Sequence, residues 1–411
     1  MGLLAQRRLS QYIDTHFASY QEQVQVALQY LSDSDRHQHA EVLVSHLQHW
    51  QVQAKILDTT QQVIYAAYAS KAPFALLRYL PISSSDQLVQ VLYDIIALKI
   101  FQHIYKDHSL SVKWLLDLSN SNAITTLTTA QLEAAQAIGC LWHAPERSTA
   151  DRPMLALGTK GMLCVELSVQ TGQIAPPFAH DAVLPNALWR LLWAIGGLKS
   201  SQEDILIEGF YDAVVPADDE STNVLYDLPA QNLPFAQQWG IARPLLDLHG
   251  PPFHYAHRLT PTCTIVNITH APSHEQTLPI QASALLLFHL VPRQDPKDIF
   301  QKLCRHLQLQ GFDDVHVQLQ QAYSPFALDR HHTFVQAVEE ANTYTYNNSK
   351  APVLLPLSAG SYPVETLRKA FDIPVLVDLS DLAVETTAHE IACQIKQRAA
   401  LMALLAKRQA K

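Results

Sequence analysis

The chain has 411 residues, a net charge of −9, 48% hydrophobic residues and only 16% charged ones, against a usual charged share of about 25%. That length affords two domains and a large core. The scattered basic residues exclude a phosphate-backbone binder with its basic stripe, and no apolar run nears the roughly 18 residues of a membrane span.

Glycine is scarce: 12 in 411, about 3% against a usual value of about 7%. Glycine gives the positive φ and close backbone approach that catalytic loops use, so this chain has few such loops to offer. The five cysteines are far apart and include no C-x-x-C, which reads as reduced, buried thiols. Arg7-Arg8 precede no apolar stretch, so the start is not read as a secretory signal. Gln6 stands where myristoylation favours Ser or Thr. The expectation is a cytoplasmic protein with no membrane or nucleic-acid partner.

Residues 3 to about 56 have helical apolar spacing. "VIYAAYA" (63–69) and "PFALLRYL" (73–80) read as short strands, and 85–105 as a long buried helix that Asp86 is placed to cap. "SVKWLLDL" (111–118) reads as a strand, and "TTAQLEAAQAIGC" as a helix with a Thr cap. Near residue 158 the texture changes. "GMLCVELSVQ" is a strand, and "LPNALWRLLWAIGGL" a helix with Pro185 before it and Gly196-Gly197 at its end. A proline-rich loop region follows to 262. Then come "CTIVNIT", "PIQASALLLFHLVP", a helix over 296–308 opened by Pro296, and "VHVQLQQ". That order is β-α-β-β-α-β, a ferredoxin-like unit. Helices and strands alternate again in "HTFVQAVEEANTY", "PVLLPLS", "PVETLRKAF" and "IPVLVDL" before a C-terminal helix. The organisation expected is one α/β domain over 1–158 and 323–411, with 159–322 inserted as a ferredoxin-like (βαββαβ) lid and dimerisation domain.

Five pieces carry a resemblance: "TKGMLCVELSV" (159–169), "LPNALWRLL" (184–192), "IEGFYDAVVP" (207–216), "LPIQASALLLFHLVPRQDPKDIF" (278–300) and "SAGSYPVETLRKAFDIPVLV" (358–377). In order and spacing the chain resembles the dinuclear-zinc exopeptidases of the aminoacylase, carnosinase and carboxypeptidase-G type, above all the carnosinase-like dipeptidases. The resemblance implies an α/β metallopeptidase domain carrying a lid, and homodimers made through that lid. It also implies two metal ions about 3.5–4 Å apart, held by His and carboxylate ligands at strand ends, with a glutamate base.

Position by position, the chain departs from that chemistry. Where the family's first strand ends in G-H-x-D, this one has Arg78, Tyr79 and Leu80, and the chain contains no H-x-D. Asp86 falls near the bridging aspartate without the glycine and lysine that accompany it. Ser119, Asn120 and Ser121 stand in the place of the glutamate pair, and none of them serves as a general base. The third site falls among His143, Glu146 and Asp151, with a poor fit. The C-terminal H-A-P-N-E is absent, although His389 and Cys393 lie four apart on the last helix. Of the lid positions, Asn186 matches, Pro176 stands for the transition-state histidine with His180 the nearest imidazole, and His289 stands for the substrate-carboxylate arginine. Gly360-Ser361 keeps part of a glycine turn.

Twenty histidines raise a metal question of their own. "RHQHAE", "FHYAHR" and "RHH" bring no converging carboxylate or thiol, so they read as surface histidines. No G-x-S-x-G elbow or glycine-rich phosphate loop occurs. The reading is a catalytically inactive, metal-free relative of these peptidases, a dimeric scaffold or assembly subunit without cofactor. Its partner is a second copy or another protein, with Trp189 and Trp193 as candidate interface residues. Two alternatives remain: a zinc hydrolase with relocated ligands, and a small-molecule binder using the former cleft.

Overall fold

The computed structural model describes residues 3–33, 40–58, 60, 62–68, 74–83, 85–105, 110–119, 123–144, 153–228, 236–237, 239–243, 245–271, 276–345, 352–379 and 387–409. The chain divides into two compact units. The first comprises 1–158, 328–358 and 363–411; the second comprises 159–327 and 359–362.

The first unit is built on an eight-stranded mixed sheet. Its order is Val52–Ile56, Val63–Tyr68, Ser111–Asp117, Ala75–Pro81, Gly139–His143, Val375–Asp378, Met154–Ala156, Val353–Leu355. The middle four strands, Ser111–Asp117 to Val375–Asp378, run parallel. Parallel strands buried on both faces read as continuous apolar runs, and Ala75–Pro81 is buried at every position before Pro81. The helix Val89–Ile104 is almost wholly buried and packs against Leu3–Asp33 and Ala388–Gln409, which explains why its sequence lacks a polar stripe.

Three expectations needed correction. The N-terminal helical stretch ends at His49, and Val52–Ile56 is an edge strand whose side chains alternate in exposure. The helix after Thr128 is shorter than expected. Thr128 does form a capping box with Gln131, but the helix stops at Leu132 and a 3-10 turn follows. "GCLWH", placed at that helix's end and beyond, is instead the central strand Gly139–His143, fully buried. The α-helix expected from 85 begins at Val89, after a 3-10 turn Ser85–Leu88. Asp86 sits in that turn, so it is not the N-cap, and its side chain lies outside the described residues.

The second unit has its own four-stranded antiparallel sheet, ordered His316–Tyr323, Gly161–Gln170, Gln281–Leu290, Thr262–His270. With the helices Ala187–Gly196 and Pro296–Leu309 it has the ferredoxin-like β-α-β-β-α-β arrangement. Alternate residues of Gly161–Gln170 are buried, the period-2 pattern of a sheet with one face on a core. That core gathers Leu163, Val165, Leu167, Leu286, Phe288, Leu191 and Leu303. Asp295 caps the second helix through the Lys297 amide, with Pro296 in its first turn.

Gly161 is constrained by space rather than by φ. A Cβ there would lie 2.5 Å from the Pro325 nitrogen and 2.8 Å from the Tyr323 carbonyl oxygen. Backbone cannot yield as a flexible side chain does. Gly161→Ala is therefore expected to destabilise the chain by about 1–3 kcal/mol, the usual cost of overpacking; thermal unfolding that matches the native chain within error would refute this.

Candidate functional site

In the first unit, the strand ends that the resemblance assigns to the metal chemistry lie next to one another in the sheet, but they carry a different set of groups. Arg78 is 3% exposed. Its NH2 stands 2.5 Å from His143 Nε2, and its NH1 is 3.5 Å from Asp94 Oδ1. Asp94, wholly buried on the helix Val89–Ile104, also accepts from Arg398 Nε (2.8 Å) and from Trp114 Nε1 (2.8 Å). Arg398 NH2 donates to Gln90 Oε1 at 2.6 Å, and its guanidinium lies 5.3 Å from the Tyr93 ring centroid. Asp378 Oδ2 is 3.6 Å from His143 Nε2.

The protonation state of His143 follows from these partners. A guanidinium only donates, so Nε2 must accept from Arg78 and the imidazole proton is at Nδ1. Burial pushes the His143 pKa down to about 3; Asp378 opposes this and Arg78 reinforces it. Burial likewise lowers the Arg398 pKa, with Asp94 opposing. The cluster therefore balances two guanidinium cations against two carboxylates around a neutral imidazole, which is the condition for burying charge at tolerable cost.

The opposite face of the same strands is also occupied. The Tyr79 hydroxyl donates to Asp117 Oδ2 at 2.5 Å, and its ring stacks on Trp142 with centroids 3.6 Å apart. Asp117 Oδ1 accepts from the amide and hydroxyl of Ser119, both at 2.8 Å, and the Ser119 hydroxyl in turn accepts from the Ala123 amide. Ser119 thus shapes the turn after its strand. Leu80 is a core residue. Asn120 and Ser121 lie outside the described residues, as do Glu146 and Asp151.

The zinc ions implied by the resemblance do not fit this donor set. Among the described residues no group of three or more His, Cys, Asp or Glu side chains is placed to hold a metal ion. His143 Nε2, the nitrogen facing Asp378, has its lone pair on Arg78. A divalent ion about 4 Å from that guanidinium would be repelled by about 8 kcal/mol at an effective dielectric near 20. No step through a metal is derived.

The remaining candidates lie in the second unit. Asn186 caps the helix Ala187–Gly196, its Oδ1 accepting from the Leu188 and Trp189 amides. His289 and Ser361 are together: Nδ1 and Oγ are 2.6 Å apart, and the Ser361 hydroxyl donates to the Gly161 carbonyl at 2.8 Å. The serine proton is thus used, so His289 donates from Nδ1. Burial, then Lys160, lowers the His289 pKa to about 4. Tyr323 donates to the Ser361 carbonyl, and Gly360 packs against the Tyr362 side chain. Lys160 donates to the His257 and Thr260 carbonyls at the end of the helix Gly250–Leu259, the usual service of a lysine at a helix C-terminus. Cys393 and His389 are 3.7 Å apart on the last helix and belong to no group of three potential metal ligands among the described residues. Trp189 and Trp193 are 57% and 59% exposed and stack at 5.9 Å. Their helix buries Ala187, Leu191 and Ala194 alone, so within this chain it is covered on one face, not on several.

No protein-family model and no curated protein sequence matches the chain. Solved structures do. A metallo-carboxypeptidase, Sso-CP2 from Sulfolobus solfataricus, described as an M20 family member, is 22% identical with a TM-score of 0.70, over 89% of this chain and 94% of that one. Human carnosine dipeptidase 1 is 16% identical, TM-score 0.71, over 98% and 99%. The dipeptidase Dug1p of Saccharomyces cerevisiae is 12% identical, TM-score 0.68, over 99% of both chains. The chain has the fold of the M20 metallopeptidases. In this version of the M20 fold, Arg78, Asp94, Asp117, Asp378 and Arg398 do the polar work at and beneath the strand ends; of these only Arg78 stands at a position singled out from the sequence, and there as a departure from the family's ligands. Their signal was visible: each is a charge inside or closing an apolar run, and such a charge needs a partner.

The His143 environment has a pH consequence. Its ordinary value is 6.5 and its folded value about 3, so the unfolded chain takes up the extra proton as pH falls. This contribution to stability is complete above about pH 6.5 and drains away as pH drops toward 3. His257 and His289, held by burial at about 3 and about 4, act in the same direction. Urea midpoints measured from pH 7 to pH 4 should fall, and fall less steeply in His143→Gln; an equal slope in the two chains would contradict the assignment.

Proposed function

We propose that the chain is a non-catalytic member of the M20 metallopeptidase fold, acting as a homodimeric scaffold or assembly subunit. The observation that carries this reading is the use made of the strand ends. Arg78 takes the His143 nitrogen beside Asp378, and Tyr79 takes a carboxylate oxygen of Asp117. Groups that would bind an ion or move a proton are engaged with one another. Dinuclear hydrolysis needs ligands that lower the pKa of bound water from 15.7 toward about 7, and a base to take its proton. That no group of three or more His, Cys, Asp or Glu side chains among the described residues is placed to hold an ion supports the reading. Purified protein is expected to carry no stoichiometric zinc and to keep its melting temperature in chelator, because no metal binding free energy contributes to the native state. It should leave dipeptides and acyl-amino acids intact with zinc, cobalt or manganese present. Two bound ions per chain together with hydrolysis would restore the enzyme.

Support for self-association comes from the second unit. Apart from Val26 and Tyr30, every exposed large apolar side chain among the described residues belongs to it. Trp189, Leu192 and Trp193 form one strip. The edge strand Thr262–His270 exposes Ile265, Val266 and Ile268. Apolar surface on this scale marks interaction sites, and an unguarded edge strand is a template for another strand. The chain should scatter light as a dimer at micromolar concentration, and Trp189→Ser/Trp193→Ser or Ile265→Lys should shift it toward monomer. A native monomer at that concentration would count against the proposal.

A further inference from the structure

The short helix Ala40–His49 packs on the edge strand Val52–Ile56 of the eight-stranded sheet and on its neighbour Val63–Tyr68. Its buried side chains are Ala40, Leu43, His46 and Leu47, so the buried face is apolar at every position but one. His46 is 4% exposed, and neither ring nitrogen has a hydrogen-bond partner. Buried polar groups are nearly always paired, and an orphan of this kind calls for an explanation. Its contacts are aromatic instead. Tyr30, from the helix Leu3–Asp33, meets the His46 ring edge-on at 4.9 Å between centroids and stacks on His49 at 5.1 Å. The two strands turn Val52, Ile64 and Ala66 into the same core as the helix. On that face of the pair Tyr68 is the one titratable side chain, and Lys55 lies on the other face, over the Tyr65 ring. On the helix itself Glu41 is exposed. Burial, then the neighbouring His49, lowers the His46 pKa, and among the described residues no carboxylate pairs with the ring.

We propose that His46 is an acid-sensitive latch: as pH falls below about 6, the helix Ala40–His49 lifts from the strands Val52–Ile56 and Val63–Tyr68 and bares their apolar face. The closed position holds a neutral imidazole, which has one N–H. Protonation adds a charge and a second N–H, and neither nitrogen has an acceptor there. Water supplies both acceptors once the helix opens, so acid favours the open state. The ordinary imidazole value, 6.5, governs the open state and the lowered one the closed state. The contribution of His46 to docking is therefore complete above about pH 6.5 and is lost as pH falls toward the lowered value. A helix of 10 residues depends on its packing to exist, so a charge driven into that packing acts on the whole element. What opens is apolar surface of the kind a partner covers, which makes acid a means of regulating association. The inference stands on the geometry of the first unit and does not rest on the functional reading above.

The test is amide hydrogen exchange of the full chain from about pH 7 to about pH 5, read by mass spectrometry and corrected for the intrinsic exchange rate at each pH. Peptides covering 40–49 are compared with peptides covering 89–104, the helix that carries Asp94 and so reports any loosening around Arg78 and His143. A histidine that titrates at 6.5 when open and stays neutral when closed raises the opening constant about twentyfold over that range. Protection over 40–49 should therefore fall about fivefold or more beyond any fall over 89–104. His46→Phe and His46→Leu keep an apolar side chain on the buried face and cannot take a proton, so in both variants the two stretches should change alike. His49→Gln should keep the excess loss. The proposal falls if 40–49 is unprotected at neutral pH, if the two stretches lose protection in parallel in the native chain, or if the excess persists in either variant of His46. It falls equally if His49→Gln abolishes the excess, which would assign the switch to His49. If one variant of His46 does not fold, the other decides. Failure of both overturns the proposal, because an apolar side chain at such a latch should strengthen the closed state.

Discussion

A guanidinium with no path to water must find its counter-charges inside the protein, and the arrangement of the first unit meets that demand at Arg78. The side chain emerges from the middle of Ala75–Pro81, a strand with neighbours on both sides. Its partners come from elsewhere in the chain: His143 from the adjacent strand and Asp94 from the helix Val89–Ile104. Asp94 in turn needs Arg398 from the last helix, more than three hundred residues away in sequence, and Trp114 from the strand on the other side. The cluster therefore fixes register. A slip of one residue in Ala75–Pro81 would turn Arg78 to the face now held by Tyr79 and strand both the cation and its carboxylates.

The two faces of these strands solve one problem in different ways. On one face charge is balanced by charge. On the other, Tyr79 lies flat on Trp142 and its hydroxyl satisfies Asp117, while Ser119 takes the remaining carboxylate oxygen. A working metal edge keeps lone pairs directed at an ion and a position open for water. Here the lone pairs are directed at neighbouring side chains, and aromatic area fills space. The scarcity of glycine fits the same picture, since little backbone is arranged for close approach by a ligand.

The second unit was the more legible in sequence because its signals are local. Strict alternation in "GMLCVELSVQ", Pro185-Asn186 before one helix and Asp295-Pro296 before the other mark elements that the structure contains at nearly those bounds. The first unit hid its central strand. "GCLWH" is five residues long, wholly buried, without alternation, and preceded by good helix formers, so periodicity had nothing to detect. The site hid for a related reason. Arg78 and Tyr79 were legible only as departures from a metal-ligand pattern; what they do depends on contacts with Asp94, His143 and Asp117 that span 16, 65 and 38 residues. What the sequence did display was an arginine in "FALLRYL", an aspartate in "VLYDIIAL" and an arginine in the final helix, each surrounded by apolar residues. Two buried cations and a buried anion in one domain already call for a network.

The two units also differ in how they meet solvent, and this bears on what such a chain is for. In the first unit the large apolar side chains are almost all turned inward, and the strand ends close on themselves. In the second, a ferredoxin-like sheet leaves an apolar strip on one helix and an apolar edge strand open. Exposed tryptophan and β-branched side chains lower solubility unless a partner covers them, whereas a scaffold gains from a surface that buries them. The buried charges of the first unit meet their counter-charges within that unit, while the second unit keeps apolar surface of the kind that partners cover.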